Sequence, residues 1–213
     1  MNTFGFIGMG NMGYAMLKGA LNSFSKEDII FTCPSSDRRE KISEETGVRF
    51  AESNAECANN AKYIILAVKP QVYDVVLKNI HDIVTEESIV ISLAPGITIT
   101  DIKRKLGDNI RVVRAMPNTP ALVGEGMTGV SYNTAEFSFE ERDIIEKFFN
   151  SFGKVVTVPE SYEWSCMCKR KFTCICIHVY RSTCRWCRKV WNTEKRCLQA
   201  CCTDCTWLGK NGS

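Results

Sequence analysis

The chain has 213 residues, of which 45% are hydrophobic and 24% charged, with a formal net charge of +3. This length suits one large domain or a domain and a half, and the hydrophobic content suffices for a buried core. No stretch approaches the length of a membrane span, and residues 1–20 lack the basic start and the cleavage site of a signal peptide. We therefore expect a soluble cytoplasmic protein with no membrane partner.

The composition changes near residue 162. Ten of the 12 cysteines and all four tryptophans lie beyond residue 163. Residues 162–213 contain ten Lys and Arg against three Asp and Glu, whereas residues 1–161 contain 17 against 21. The overall charge describes neither part, so it gives no ground for a nucleic-acid partner. The sequence predicts a domain over residues 1–161 and a separate tail over residues 162–213.

The first predicted strand runs straight into a glycine motif. Phe4–Ile7 is a short apolar run typical of a buried parallel strand, and Gly8-x-Gly10-x-x-Gly13 follows, before helical apolar spacing over Tyr14–Leu21. This order is typical of a dinucleotide site: Gly8 permits a tight turn, Gly10 lets the backbone approach a pyrophosphate, and Gly13 lets helix and strand pack closely. The helix N-terminus would offer N–H groups and a positive dipole end to the phosphates.

The second strand, Ile29–Thr32, ends in a segment that bears on cofactor choice. Folds specific for NAD carry an acidic residue about 20 residues past the glycines, where it binds the ribose 2′-hydroxyl. Here the strand end carries hydroxyls within Cys33–Ser36, and Arg38 and Arg39 follow. These groups suit a 2′-phosphate, which favours NADPH over NADH. Two alternatives stay open: Asp37 serves an NAD ribose, or the two arginines are only a solvated helix start.

The rest of this part alternates between strand and helix signals. Strands are predicted at Val48–Phe50, Tyr63–Val68, Ser88–Leu93 and Ile110–Arg114, and helices at Gln71–Ile80 and Thr100–Leu106. Ser53-Asn54 is typical of a helix N-cap or of a loop facing the cofactor. The alternation indicates an α/β fold with a Rossmann-type, doubly wound, mainly parallel sheet.

Ligands of such sheets bind beyond the carboxyl ends of the strands. Five strand-end loops lie at those ends: Gly8–Gly13, Cys33–Ser36, Ala67–Pro70, Ala94–Gly96 and Met116–Thr119. They define the predicted site, although Lys69 alone is equally typical of a surface lysine and Gly96 of a simple turn. His81 lies in a polar loop and is interpreted as a solvated side chain. No acid–base pair, nucleophile or metal cluster is visible, and a hydride transfer to an activated substrate requires none.

Three further motifs carry a specific resemblance. Ala67-Val68-Lys69-Pro70-Gln71, the run Arg114–Ala121 and the run Gly124–Thr128, together with Ile7–Gly13, resemble the landmarks of pyrroline-5-carboxylate reductases over residues 3–161. The resemblance implies reduction of pyrroline-5-carboxylate to proline by NAD(P)H, the last step of proline biosynthesis. A β-hydroxyacid dehydrogenase or imine reductase shares the opening motif but needs a catalytic lysine in a later Gly-rich helix, which is not visible. A non-catalytic nucleotide-binding fragment is the third alternative.

The resemblance also implies where the ligands lie. The nucleotide would follow the strand-end loops, and the implied positions are Met9, Asn11, Met12, Asn54, Ala67, Val68, Lys69, Pro70, Ala94, Pro95 and Gly96. Cys33, Ser35 and Ser36 would take the adenosine ribose, and Asn118 would lie near the nicotinamide. In the family the small-molecule substrate is held mostly by a second, all-helical domain that also forms the homo-oligomer interface. No catalytic residue is assigned, and no metal is expected.

That helical domain should begin near residue 162, where a segment rich in cysteine and arginine stands instead. Cys184-x-x-Cys187 and Cys202-x-x-Cys205 have almost the spacing of a zinc ribbon. A disulfide framework does not fit a cytoplasmic protein.

A frameshift explains the tail better than zinc does. When codons for Thr173–His178 are written out and translated one base later, they give Pro-Ala-Tyr-Val-Tyr-Met, and Lys169–Phe172 gives Ser-Gly-Ser-Ser. The joined string is similar to the signature that opens the family's helical domain. We therefore expect one extra base near Ser161–Glu163, and a chain that lacks both reductase activity and the dimer interface.

Overall fold

The computed structural model describes residues 2–160, and these residues form one twisted sheet with helices on both faces. The strands are β1 (Asn2–Ile7), β2 (Ile29–Thr32), β3 (Arg49–Phe50), β4 (Ala61–Leu66), β5 (Ile89–Ser92), β6 (Arg111–Met116), β7 (Gly126–Ser131) and β8 (Gly153–Thr157). The α-helices are α1 (Asn11–Ala20), α2 (Ser36–Thr46), α3 (Asn54–Asn59), α4 (Tyr73–Ile80), α5 (Ile99–Leu106) and α6 (Phe139–Asn150). The tail, with its cysteine pairs, lies outside the described residues.

The strand order is β3-β2-β1-β4-β5-β6-β7-β8. The first six strands are parallel, β7 runs antiparallel to β6, and β8 is parallel to β7. This confirms the prediction of a Rossmann-type, mainly parallel sheet. Since β1 pairs with both β2 and β4, the sheet grows in opposite directions from β1, and the crevice at that switch point is where such folds bind ligands.

Two hydrophobic cores cover the two faces of the sheet. On one face, α1, α2 and α6 pack over aromatic side chains, and Phe4 stacks on Phe148 with ring centroids 4.7 Å apart. On the other face, α3, α4 and α5 pack over aliphatic residues such as Ile64 and Leu66. The central strands are therefore buried on both sides, which explains why they form continuous apolar runs in the sequence.

Helix starts follow local capping chemistry. Thr98 and Asp101 form a capping box at the start of α5, and Ser138 and Glu141 form one at the start of α6. Each box satisfies backbone N–H groups that the first turn leaves without a partner. Ser53 caps α3 by accepting a hydrogen bond from the backbone of Glu56, which confirms the N-cap interpretation of that segment.

Several boundaries differ from the sequence prediction. β4 ends at Leu66, two residues before the predicted end, because the chain there turns into the loop that faces β1. The helix predicted from Gln71 begins as a 3-10 turn, Pro70–Val72, and becomes α-helical only at Tyr73. β7, α6 and β8 were not predicted. Among residues 2–160, no helix is both long and apolar enough to cross a bilayer.

Candidate functional site

The strand-end loops meet at the carboxyl edge of the parallel strands. The backbone N–H of Gly8 donates to the carbonyl of Thr32 at 2.9 Å, and that of Ala67 donates to the carbonyl of Ile7 at 2.9 Å. These bonds extend the ladders by one residue beyond each strand. They hold the glycine turn between the ends of β2 and β4, at the switch point of the sheet.

The three glycines of the turn have distinct environments. Gly8 has φ of 102°, and a Cβ built on it would lie 2.7 Å from Val68 Cγ1. A Cβ on Gly13 would lie 2.3 Å from the Gly8 carbonyl oxygen, so the helix approaches the turn as closely as predicted. A Cβ on Gly10 would meet no atom of residues 2–160 within 4 Å, so this residue faces open space in the described part of the chain.

Helix α1 presents an uncovered N-terminus beside that open space. Gly10 is its N-cap and supplies no side-chain acceptor, and its first turn contains no acidic residue. The first N–H groups of a helix have no acceptor within the helix. Because Asn11 is exposed and Met12 half-buried, the turn offers backbone donors and a positive dipole end to an anion.

The polar side chains that follow β2 differ in their burial and in their hydrogen bonds. Cys33 is buried, and its Sγ lies 3.6 Å from the carbonyl oxygen of Ser35. Ser35 is the N-cap of α2 and accepts a hydrogen bond from the backbone of Arg38. Ser36 is exposed and donates its hydroxyl hydrogen to Asp37 at 3.2 Å. The site-facing polar groups here are therefore the exposed hydroxyls at the start of α2.

Arg38 and Arg39 differ although they are neighbours. Arg38 Nε donates to the carbonyl oxygen of Met9 at 2.7 Å, so this side chain reaches back to the glycine turn. Arg39 donates to the carbonyl of Cys33 at 2.7 Å and to Glu52 at 2.6 Å, and its side chain is only 13% exposed. The interpretation of both arginines as a solvated helix start is wrong for Arg39, because its guanidinium is bound between β2 and the loop after β3.

The loops after β4 and β5 lie on the other side of the glycine turn. Ala67, Val68 and Pro95 are half-buried, Ala94 is buried, and Lys69 is exposed at the start of the 3-10 turn. Gly96 has φ of 86°, which explains a glycine at that position. Asn54 is half-buried in the first turn of α3.

Asn118 follows β6 and is held by its side chain. Its Oδ1 accepts a hydrogen bond from the backbone N–H of Met127 at 2.8 Å. This bond ties the loop after β6 to the start of β7, and the residue is half-buried at the site edge. The position of Asn118 is thus fixed by a neighbouring strand that the sequence did not predict.

The comparisons with known proteins match the chain to oxidoreductases, among them several pyrroline-5-carboxylate reductases. Residues 3–96 match the family model described as NADP oxidoreductase coenzyme F420-dependent. The chain is 38% identical to the pyrroline-5-carboxylate reductase of Escherichia coli (strain K12) over 159 residues, which is 73% of this chain and 58% of that protein. The structure of a pyrroline-5-carboxylate reductase from Coxiella burnetii matches with a TM-score of 0.76 at 30% identity, covering 98% of this chain and 77% of that one.

The chain belongs to the pyrroline-5-carboxylate reductase family. A further member, the pyrroline carboxylate reductase of Plasmodium falciparum solved with NADP bound, matches with a TM-score of 0.70 at 28% identity, over 84% of this chain and 64% of that one. The chain spans 58% of the length of the curated relatives from Escherichia coli and Shigella flexneri. The alternative of a β-hydroxyacid dehydrogenase or imine reductase is not favoured by these relatives.

The structure also identifies residues of the reductase fold that sequence reasoning did not assign. Arg114, in the family motif, is 1% exposed, and its Nη1 lies 3.5 Å from Glu160 Oε1. The same carboxylate oxygen accepts the backbone N–H of Ile99 at 2.8 Å. Glu160 therefore joins β6 to the N-terminus of α5. A charged residue directly after the apolar pair Val112-Val113, in the interior of a strand, was the available signal for Arg114.

In the part of the chain that the structure describes, neither a metal centre nor a histidine pair lies at the carboxyl edge of the sheet. Within residues 2–160, no group of three or more His, Cys, Asp and Glu side chains could hold a metal ion. His81 is exposed at the end of α4 and lies 2.8 Å from Asp82. Since α4 runs back along the sheet, this end of the helix is remote from the strand-end loops.

Proposed function

We propose that the complete, in-frame protein is a reductase that converts 1-pyrroline-5-carboxylate to L-proline with NAD(P)H, and that residues 1–161 of this chain are its cofactor-binding domain. The observation that carries the proposal is the uncovered N-terminus of α1 behind Gly10, at the switch point of a sheet whose chain belongs to this family. A pyrophosphate would fit there because Gly10 has no side chain and no atom of the described residues fills the space.

The proposed cofactor is NADPH. Its phosphates would lie against Gly10–Gly13, and its adenosine ribose near Ser35 and Ser36. Arg38 is the supporting observation for the 2′-phosphate, because its bond to the Met9 carbonyl holds a guanidinium between the glycine turn and α2. Arg39 is excluded from that role by its bonds to Cys33 and Glu52. The bound NADP of the Plasmodium falciparum relative is consistent with this choice.

The nicotinamide half would lie over the loops after β4, β5 and β6. The residues proposed there are Val68, Lys69, the loop Ala94–Gly96 and Asn118. Asn118 is held by its bond to Met127, so its side chain can define one wall without moving. A wall of this kind positions the ligand and excludes water.

The proposed hydride transfer requires little acid–base catalysis from the residues of this domain. When bound, the cofactor supplies a hydride to the imine carbon, which a proton on the ring nitrogen makes electrophilic. The protein's contribution would be alignment of the two carbons at about 3–3.5 Å, and such alignment supplies about 7–11 kcal/mol of a barrier. The substrate itself would be held by a second, helical domain. A cytoplasmic location and the absence of nucleic-acid partners stay predictions.

We further propose that residues 162–213 are out of frame, so that this chain binds the cofactor but does not reduce the imine or form the family's dimer. The test compares the gene as written with one in which a base near codon 162 is deleted and the missing downstream segment is supplied. NADPH-dependent proline formation is expected only from the repaired gene. Full activity from the gene as written, or none from the repaired gene, would overturn the frameshift.

A further inference from the structure

A buried tyrosine lies beneath the two loops proposed to hold the nicotinamide half. Tyr73 is the first residue of α4 and is 0% exposed. Its hydroxyl donates to the carbonyl oxygen of Leu66 at 3.0 Å and shares a hydrogen bond of 3.0 Å with Ser92 Oγ. Leu66 and Ser92 are the last residues of β4 and β5, and they are partners in the sheet register.

The tyrosine occupies the point where these two strands separate. Beyond the Leu66–Ser92 pair, the next ladder bond, from Leu93 N–H to the Leu66 carbonyl, has lengthened to 3.4 Å. The Ala67–Pro70 and Ala94–Gly96 loops leave the sheet here. A hydroxyl bonded to both strand ends therefore fixes the separation of the two loops at their base.

The hydroxyl is neutral and stays in place over the working pH range of most proteins. Burial raises the pKa of Tyr73 to about 12, against the opposing effect of its hydrogen bond with Ser92 and of the nearby backbone. Removing the hydrogen-bond partners of so deeply buried a polar group would destabilise the folded state. Ser92 is also 0% exposed, so no water competes for this bond.

We propose that Tyr73 is a positioning residue for the nicotinamide half of the site: its hydroxyl, bonded to Leu66 and Ser92, sets the spacing of the Ala67–Pro70 and Ala94–Gly96 loops. The inference rests on the proposed cofactor function. Binding of the adenosine half should not depend on Tyr73, because that half is proposed to lie over β1 and β2, on the other side of the switch point.

Two ligands separate the halves of the site. NADPH contacts both halves, whereas adenosine 2′,5′-bisphosphate carries only the adenosine half. Tyr73→Phe removes the hydroxyl and keeps the ring. We expect it to weaken NADPH binding by about 5- to 10-fold, the effect of about one hydrogen bond, and to leave the bisphosphate affinity unchanged within about twofold.

Tyr63→Phe is the matched control. Tyr63 is also buried in this sheet, but its hydroxyl has no hydrogen-bond partner among residues 2–160. Its loss should therefore change neither affinity. Ser92→Ala, which keeps the tyrosine, should reproduce part of the Tyr73→Phe effect, and this variant carries the test if Tyr73→Phe does not fold.

The outcomes are distinguishable by calorimetric titration of the full chain. Selective loss of NADPH affinity in Tyr73→Phe and Ser92→Ala supports the positioning role. An equal loss for both ligands, or a lowered melting temperature with both affinities intact, shows that Tyr73 serves only the core and overturns the inference. If the unmodified chain binds neither ligand, the proposed cofactor function itself is wrong.

Discussion

Gly10 is the residue whose lack of a side chain most directly opens the site. An aspartate there would place a carboxylate where the pyrophosphate is proposed to lie. Two like charges about 4 Å apart near a protein surface repel by about 4 kcal/mol, so we expect Gly10→Asp to weaken NADPH binding roughly 100-fold or more. Titration of the variant against the unmodified chain measures this.

The same substitution should not harm the fold. Aspartate is a preferred N-cap residue, and Gly10 caps α1 without a side-chain acceptor, so the melting temperature without ligand should stay the same or rise slightly. Asn59→Asp, which adds the same charge on an exposed face of α3, is the control and should bind NADPH normally. Unchanged NADPH binding in Gly10→Asp would show that the pyrophosphate lies elsewhere.

Arg38 and Arg39 allow a test of cofactor choice at adjacent positions. A charge-assisted bond contributes about 1.5–3 kcal/mol, so Arg38→Ala should weaken NADPH binding about 10- to 100-fold and leave NADH binding unchanged. Arg38→Lys should restore part of the NADPH affinity. Arg39→Ala should instead lower stability, because it breaks the bonds to Cys33 and Glu52. Tighter binding of NADH than NADPH by the unmodified chain would refute the 2′-phosphate assignment.

At the scale of elements, the carboxylate of Glu141 links α6 to the amino edge of the sheet. Glu141 is 7% exposed and lies 2.8 Å from Lys62 Nζ and 2.6 Å from Arg111 Nη1, at the starts of β4 and β6. Burial raises its pKa, but the bonds from Lys62, the Ser138 backbone and Arg111 outweigh this and lower it from 4.5 to about 2. The network therefore joins three separate elements through a charged side chain.

This lowered pKa predicts the direction of a pH effect. A carboxyl whose pKa is depressed in the folded state stabilises it fully above the unfolded value of 4.5, and the stabilisation is lost as pH falls toward about 2. Glu141→Gln should cost about 2 kcal/mol near neutral pH, and its difference from the unmodified chain should shrink over that acid range. Urea unfolding at a series of pH values measures it.

Glu146→Gln is the control for this experiment. Glu146 is exposed on the same helix, so its loss should change the free energy of unfolding by less than about 0.5 kcal/mol. A Glu141→Gln variant that is as stable as the unmodified chain at neutral pH would mean that the two cations do not stabilise the carboxylate as the structure indicates.

For the whole molecule, cofactor binding should raise thermal stability. A ligand at 100 times its dissociation constant stabilises the folded state by about 2.7 kcal/mol. For a chain of this size that corresponds to a rise in melting temperature of about 5–10 °C. NADPH should produce this rise in a thermal shift assay, and a chelator should leave the melting temperature unchanged if the tail binds no zinc. A marked fall with chelator would favour the zinc ribbon over the frameshift.

The sequence alone determined the Rossmann-type part of the fold and predicted the strand-end loops at which its site is proposed to lie. The bounds of β2 were predicted to the residue, since a short apolar run between turn residues leaves little choice of ends. The glycine turn was predicted equally well, because Gly8 and Gly13, which contact each other, are only five positions apart in the sequence. Strands β7 and β8 were missed. Gly126 and Gly129 interrupt the apolar pattern of β7, and both strands are stabilised by their pairing with each other in the folded sheet.

Only the tertiary structure distinguished side chains that look alike in the sequence. Arg38 reaches a carbonyl 29 residues away, whereas Arg39 binds the end of β2, and nothing in the local pattern separates them. The Tyr73 hydroxyl and the Glu141 network likewise depend on partners from strands distant along the chain. Local propensity and hydrophobic period are set by neighbouring residues, but the partner of a buried polar group is set by which strands the folded sheet brings side by side.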